Sequence, residues 1–243
     1  MSSSLVSKAA IGVFAASLIA GAHYTWMAPA GPLALGRSNR IEIGHGHRFP
    51  VSEEAIAAAQ VKAFAVSPSG KRVTLKAAAV PKMVVAEYTP TEAGTHTLGF
   101  AQDRGISSRT PGGLKKGGKD VNRDAVQSFR TVRTAVSFAA TGRIAAPGKA
   151  AGLEFEIVPK MEAGGVALQV FRNGKAAVGV EVHVLLKGQE ESKALGKTDG
   201  HGQIVYKTGA AGPVLFVADM TEPAPAGSVY DRTNLSTSLY VNW

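Results

Sequence analysis

Apolar and polar residues alternate along much of this 243-residue chain. The stretch Arg40–His45 (R-I-E-I-G-H) has the two-residue period of a half-buried strand. Val61–Val66 predicts a second strand, closed by the turn Ser67-Pro68-Ser69-Gly70. Lys71–Leu75, Met83–Tyr88, Thr95–Phe100 and Thr131–Phe138 continue the pattern, and Glu53–Gln60 reads as a short helix or a turn. The pattern breaks at Arg109–Asp120, where Pro111, four glycines and Lys115, Lys116 and Lys119 predict a long exposed basic loop. Beyond a Gly- and Ala-rich linker around Pro147, strands are predicted at Leu153–Pro159, Val166–Phe171, Val180–Leu186, Gln203–Tyr206, Val214–Asp219 and Leu235–Val241. Asn173-Gly174 marks a hairpin, because both residues tolerate a positive φ, and Gly196–Gly202 reads as a tight turn. Strands recurring about every ten residues predict an all-β protein of two β-sandwich domains, residues 23–142 and 153–243, joined by a linker at 143–152.

The first 22 residues stand outside that pattern. Lys8 is followed by the 11-residue apolar run Ala9–Ile19 and by Ala20-Gly21-Ala22, the charge, core and cleavage site of a secretory signal peptide. The competing reading is an uncleaved anchor, for which the run falls short of the roughly 20 residues of a span. A signal peptide at 1–22 implies an exported, periplasmic protein whose mature chain begins at His23.

Composition narrows the chemistry. With no cysteine, disulfide frameworks, thiolate metal sites and cysteine nucleophiles are excluded. The net charge of +9 is dispersed apart from the basic loop, and together with export it argues against nucleic acid as a partner. The chain has six histidines, and three of them share a pattern. Gly44-His45-Gly46-His47 places two imidazoles at i and i+2, on one face of a regular strand, with glycines that let the backbone bend and leave room for an ion. His23, once terminal, offers its imidazole and a free α-amino nitrogen as a chelate. Nitrogen-rich, thiol-free sites suit nickel, cobalt, copper or zinc in the +2 state, and the sequence does not choose among them. His23, His45 and His47 are therefore candidate metal ligands, with His96 as a candidate fourth or a satisfied core residue. His183 falls on the strand face opposite Val182 and Val184, and His201 sits in a turn facing water.

The opening His23-Tyr24-Thr25-Trp26-Met27-Ala28-Pro29, the segment Gly44–Pro50 and Gly94-Thr95-His96-Thr97-Leu98 resemble an exported family of domains of unknown function. Its members are described as periplasmic components of nickel/cobalt ABC-type uptake systems. The family opens with H-x-x-W-x-x-P and continues with G-H-x-F-P. Leu153–Pro159, Thr198–Gly202 and the closing Asn234–Leu239 are also similar to it, whereas Leu114 stands where an aromatic is usual. The resemblance implies a nickel or cobalt ligand and a membrane metal-uptake transporter as partner. The run Pro90-Thr91-Glu92-Ala93-Gly94-Thr95 looks like the last hairpin of an immunoglobulin-like sandwich, and the second half resembles a transthyretin-like or carboxypeptidase-regulatory-like sandwich.

An enzyme is not the expectation. The sequence carries no G-x-S-x-G elbow, phosphate loop, dinucleotide fingerprint or H-E-x-x-H. A copper site built on the terminal histidine, as in oxidative polysaccharide cleavage, is a minor alternative that needs an aromatic substrate face, and aromatics are only 7% of the chain. The main competing reading is a non-catalytic interaction or structural module of the cell envelope, with incidental histidines.

Overall fold

The computed structural model describes residues 23–142, 149–162, 165–207 and 212–242; the expected signal segment 1–22 and residues 143–148 of the expected linker lie outside them. The chain is all-β, 59% strand and 1% helix, in packed sheets without a closed barrel. In the first half the strands are β1 (Tyr24–Pro29), β2 (Asn39–Gly46), β3 (Val61–Val66), β4 (Arg72–Leu75), β5 (Ala78–Val80), β6 (Met83–Tyr88), β7 (Gly94–Thr110), β8 (Gly113–Lys116) and β9 (Gln127–Thr141). In the second they are β10 (Phe155–Glu162), β11 (Gly165–Arg172), β12 (Lys175–Ala176), β13 (Glu181–Leu186), β14 (Lys193–Lys197), β15 (Gln203–Tyr206), β16 (Pro213–Pro223) and β17 (Arg232–Asn242). A single 3-10 turn, Ala58–Gln60, occupies the segment that read as helix or turn.

Among the described residues the central feature is one nine-stranded sheet, ordered β14-β13-β16-β17-β9-β7-β3-β4, with β8 on the far end of β7. Strands from both halves enter it, because β17 runs parallel to β9 from Arg232 opposite Phe129 to Tyr240 opposite Ser137. Two smaller sheets, β1-β2-β6-β5 and β10-β11-β12 with β15, complete the fold. Side-chain alternation places them on opposite faces of the central sheet. Phe64, Val66, Val136, Val214 and Phe216 pack with Phe155, Ile157 and Leu168 of the second small sheet. Their neighbours point the other way: Ala63, Ala65 and Ala135 pack with Met27, Ile41 and Ile43, and Leu215 and Val217 pack with Tyr24 and Trp26. A sheet covered on both faces explains near-continuous apolar runs such as Val214–Ala218.

The basic loop expected at Arg109–Asp120 is in part a β-hairpin. β7 extends to Thr110 and returns as β8, pairing Ser107 with Lys116 and Thr110 with Gly113. Lys119 pairs with Asp231 and Lys115 lies 3.5 Å from Asp124. β8 is exposed on both faces, and the buried side chains opposite it, Ser108 and Thr110, are polar, so no apolar alternation announces the hairpin.

Candidate functional site

β1 is the hinge of the site. It pairs with β2 so that Thr25 faces His45 and Trp26 faces Gly44. One face of β2 runs Ile41, Ile43, His45, so the imidazole continues a core face and is itself only 6% exposed. The opposite face is shaped by close approach. A Cβ at Gly44 would lie 2.3 Å from the Trp26 indole, so glycine is required for that ring to pack there. A Cβ at Gly46 would lie 2.8 Å from the Val51 carbonyl oxygen and 3.0 Å from the Glu53 Cγ. The glycines of the H-G-H segment thus make room for a tryptophan and a returning chain.

That returning chain is the part of the site with no counterpart in the sequence reading. His47 lies just past the end of β2, and the chain doubles back so that the Glu53 and Glu54 amides donate to the His45 carbonyl at 2.9 and 3.3 Å. Ser52 Oγ accepts from the His45 amide at 2.9 Å. The turn is anchored by Phe49, fully buried with its ring 5.4 Å from that of Trp26. The Phe49 carbonyl accepts from the Gly188 amide at 2.7 Å. The Ser238 hydroxyl donates to the Thr25 carbonyl at 2.6 Å, fixing β1 to β17. The site therefore sits where the first small sheet meets the second-half strands.

The structure brings His23, His45 and His47 together. The His23 ring is stacked 4.8 Å from His45 and lies 3.7 Å from His47. Two overlapping ligand groups share His23: one with His45 and Glu54, the other with His47 and Glu53, the donor atoms in each lying within 4.8 Å of one another. Glu53 accepts from His47 Nδ1 at 2.8 Å, and this contact, more than any other, holds its carboxyl below the usual range. The bond orients the His47 ring.

His45 is the most informative of the three. Its Nδ1 lies 2.8 Å from Thr25 Oγ1 and 3.1 Å from the Tyr24 carbonyl oxygen. A carbonyl only accepts, so we assign the proton to Nδ1. Burial, with the nearby Arg133 charge, pushes the imidazole pKa down to about 4. At neutral pH its Nε2 therefore presents a lone pair, and this atom lies 3.5 Å from Glu54 Oε1. The His23 Nε2 lies 3.7 Å from the same carboxylate oxygen, so two imidazole nitrogens and one carboxylate meet there.

The structure does not bring His96 to this cluster. Its ring is fully buried elsewhere, with Nδ1 2.9 Å from the Tyr88 hydroxyl and Nε2 2.9 Å from the Glu92 carbonyl oxygen. Both ring nitrogens are occupied, which leaves no lone pair for an ion. His183 is half-buried beside Ser192, and the exposed His201 donates its amide to Asp199 in a turn.

Fold and site together define an all-β, multi-sheet protein with a histidine- and carboxylate-lined cleft at the junction of two sheets. The chain belongs to a family known as DUF4198, a domain of unknown function, whose profile matches residues 20–222. No curated protein matches it. Among solved structures it is similar to a biofilm associated protein, BSP domain, at 12% identity and a TM-score of 0.20, over 88% of this chain and 29% of that one. At that TM-score the overlay does not define a common fold.

Proposed function

We propose that the protein binds a divalent transition metal ion through His23, His45 and His47, with Glu54 supplying an oxygen and Glu53 orienting His47. The observation that carries this reading is the convergence of His23 Nε2 and His45 Nε2 on one Glu54 oxygen, at 3.7 and 3.5 Å, a set of donors that a cation between them would join. Metal–nitrogen bonds of about 2.0–2.1 Å place neighbouring donors about 3 Å apart, so binding draws the two overlapping groups, whose donors now lie within 4.8 Å, inward onto one ion. The Tyr24 carbonyl and Thr25 hydroxyl behind His45, and Glu53 behind His47, are the outer partners that metal-bound imidazoles use.

Removal of residues 1–22 on export frees the His23 α-amino nitrogen and adds a chelating donor. The resemblance to nickel/cobalt uptake components favours nickel or cobalt over copper or zinc, and casts the protein as a periplasmic carrier that delivers the ion to a membrane transporter. Calorimetric titration of nickel and cobalt into protein beginning at His23 tests the reading. Sub-micromolar binding that weakens about tenfold or more in His45→Ala and is unchanged in His201→Ala supports it. Absence of binding at pH 7.5 points instead to an envelope interaction module.

A further inference from the structure

Behind the imidazoles the cleft opens into a cavity of about 50 Å3 lined by His23, Thr25, Arg133, Asp219, Ser236 and Ser238. Arg133 projects from β9 and is half-buried, and among the described residues its guanidinium makes no hydrogen bond and no ion pair within 4.0 Å. Two acids, Asp219 of the cavity wall and Glu54, lie close enough to favour its charge. Ser238 donates to the Thr25 carbonyl, and Ser236 hydrogen-bonds Asp219. Asp219 keeps exposed surface, but its carboxyl is crowded by neighbouring chain, and that desolvation raises its pKa. Arg104, also without an ion-pair partner among the described residues, lies close enough to oppose the Arg133 charge.

These charges are hard to reconcile with a dication alone. Glu53 and Glu54 together balance a +2 ion, and Asp219 offsets one of the two guanidinium charges, which leaves one positive charge in excess beside a filled site. A guanidinium presents a planar fork of donors that matches a carboxylate-type oxyanion at two points. A water requires about 10–15 Å3 of such space, so the cavity has room for a few waters or one small planar anion.

We propose that the cavity takes a small carboxylate-type oxyanion, such as formate or bicarbonate, which bridges the metal at His23 and His45 to the Arg133 guanidinium. This rests on the metal-binding reading and adds a second ligand to it. The anion occupies a coordination position that the protein leaves open, offsets the Arg133 charge and makes metal affinity depend on the anion present. Small oxyanions are thereby part of what the protein carries or senses.

The test uses protein beginning at His23 and cobalt as the probe, titrated in a non-coordinating, bicarbonate-free buffer. Formate, bicarbonate or chloride is then added at one ionic strength. The expected result is a gain in cobalt affinity of about tenfold or more with an oxyanion and none with chloride, accompanied by a change in the visible cobalt spectrum. A gain with bicarbonate alone or with formate alone tells the two anions apart. Arg133→Met is expected to abolish the gain and Arg133→Lys to retain part of it. Cobalt affinity in the unaltered protein that is the same with chloride and with both oxyanions overturns the proposal while leaving the metal site standing. So does an undiminished gain in folded Arg133→Met. Failure of cobalt to bind under every condition removes the metal-binding reading and this proposal with it.

Discussion

Acid should weaken the metal-free fold through one residue, His45. In the folded chain burial holds this imidazole at about 4, against an ordinary value of 6.5. As pH falls from 7, the unfolded chain takes up a proton near 6.5, while the folded chain refuses it until about 4. Between these values the unfolded state binds more protons, so stability is complete above 6.5, declines through the window and levels off below about 4. The gap of about 2.5 units, at 1.36 kcal/mol each, corresponds to about 3 kcal/mol, a large part of a typical domain's stability. Carboxylates with lowered pKa, such as Glu53 and Glu92, also lose stability in acid, so the effect must be isolated by difference. His45→Asn keeps an N–H donor toward the Tyr24 carbonyl and removes the titration. Urea unfolding of chelator-treated protein at half-unit steps from pH 7 to pH 4 gives both curves. The unaltered protein should lose about 3 kcal/mol more than the variant across that range. Parallel curves would refute the claim that a buried neutral imidazole stands at this position.

Other substitutions separate the site from its scaffold. Gly44→Ala should displace Trp26 and cost about 1–3 kcal/mol, read as a lowered thermal midpoint with altered tryptophan fluorescence. Glu54→Gln removes the carboxylate facing His45 and should weaken nickel or cobalt binding about tenfold or more by calorimetry, with little change in thermal midpoint because the side chain is exposed. His96→Ala should do the reverse: it leaves Tyr88 without its imidazole partner in the core and lowers stability by about 1–3 kcal/mol, while metal affinity stays as it was. Binding itself should weaken in acid, because protons compete with the metal for the ligand nitrogens, and His45 joins that loss only as pH approaches about 4.

Strands with one wet face and one dry face were legible in the sequence. β2 and β13 show their alternation plainly, and His183 lies on the side of β13 opposite Val182 and Val184 as the pattern implies. β1 was not legible as a strand, because five of its six residues are buried and the alternation disappears. β8 and β14 were missed for the opposite reason, since few or none of their side chains are buried. The parallel pairing of β17 with β9 joins residues a hundred positions apart, and no local period encodes it. At the site, H-G-H and His23 carried the visible signal. Glu53 and Glu54 did not, because they reach His45 through a chain reversal held by backbone bonds to His45 itself. Two adjacent acids in a chain with only 18 were the available clue. His96 looked equivalent to the others in sequence and differs only in what its two nitrogens touch.

The central claim is that three imidazoles converge on one ion. X-ray absorption at the metal edge of protein beginning at His23, loaded with one equivalent of nickel, reads the coordination directly. The expected spectrum has a shell of nitrogen and oxygen only, at about 2.0–2.1 Å, with the outer-ring scattering of three imidazoles, reduced to two in His45→Ala. A spectrum without imidazole scattering, or one unchanged in His45→Ala, would contradict it.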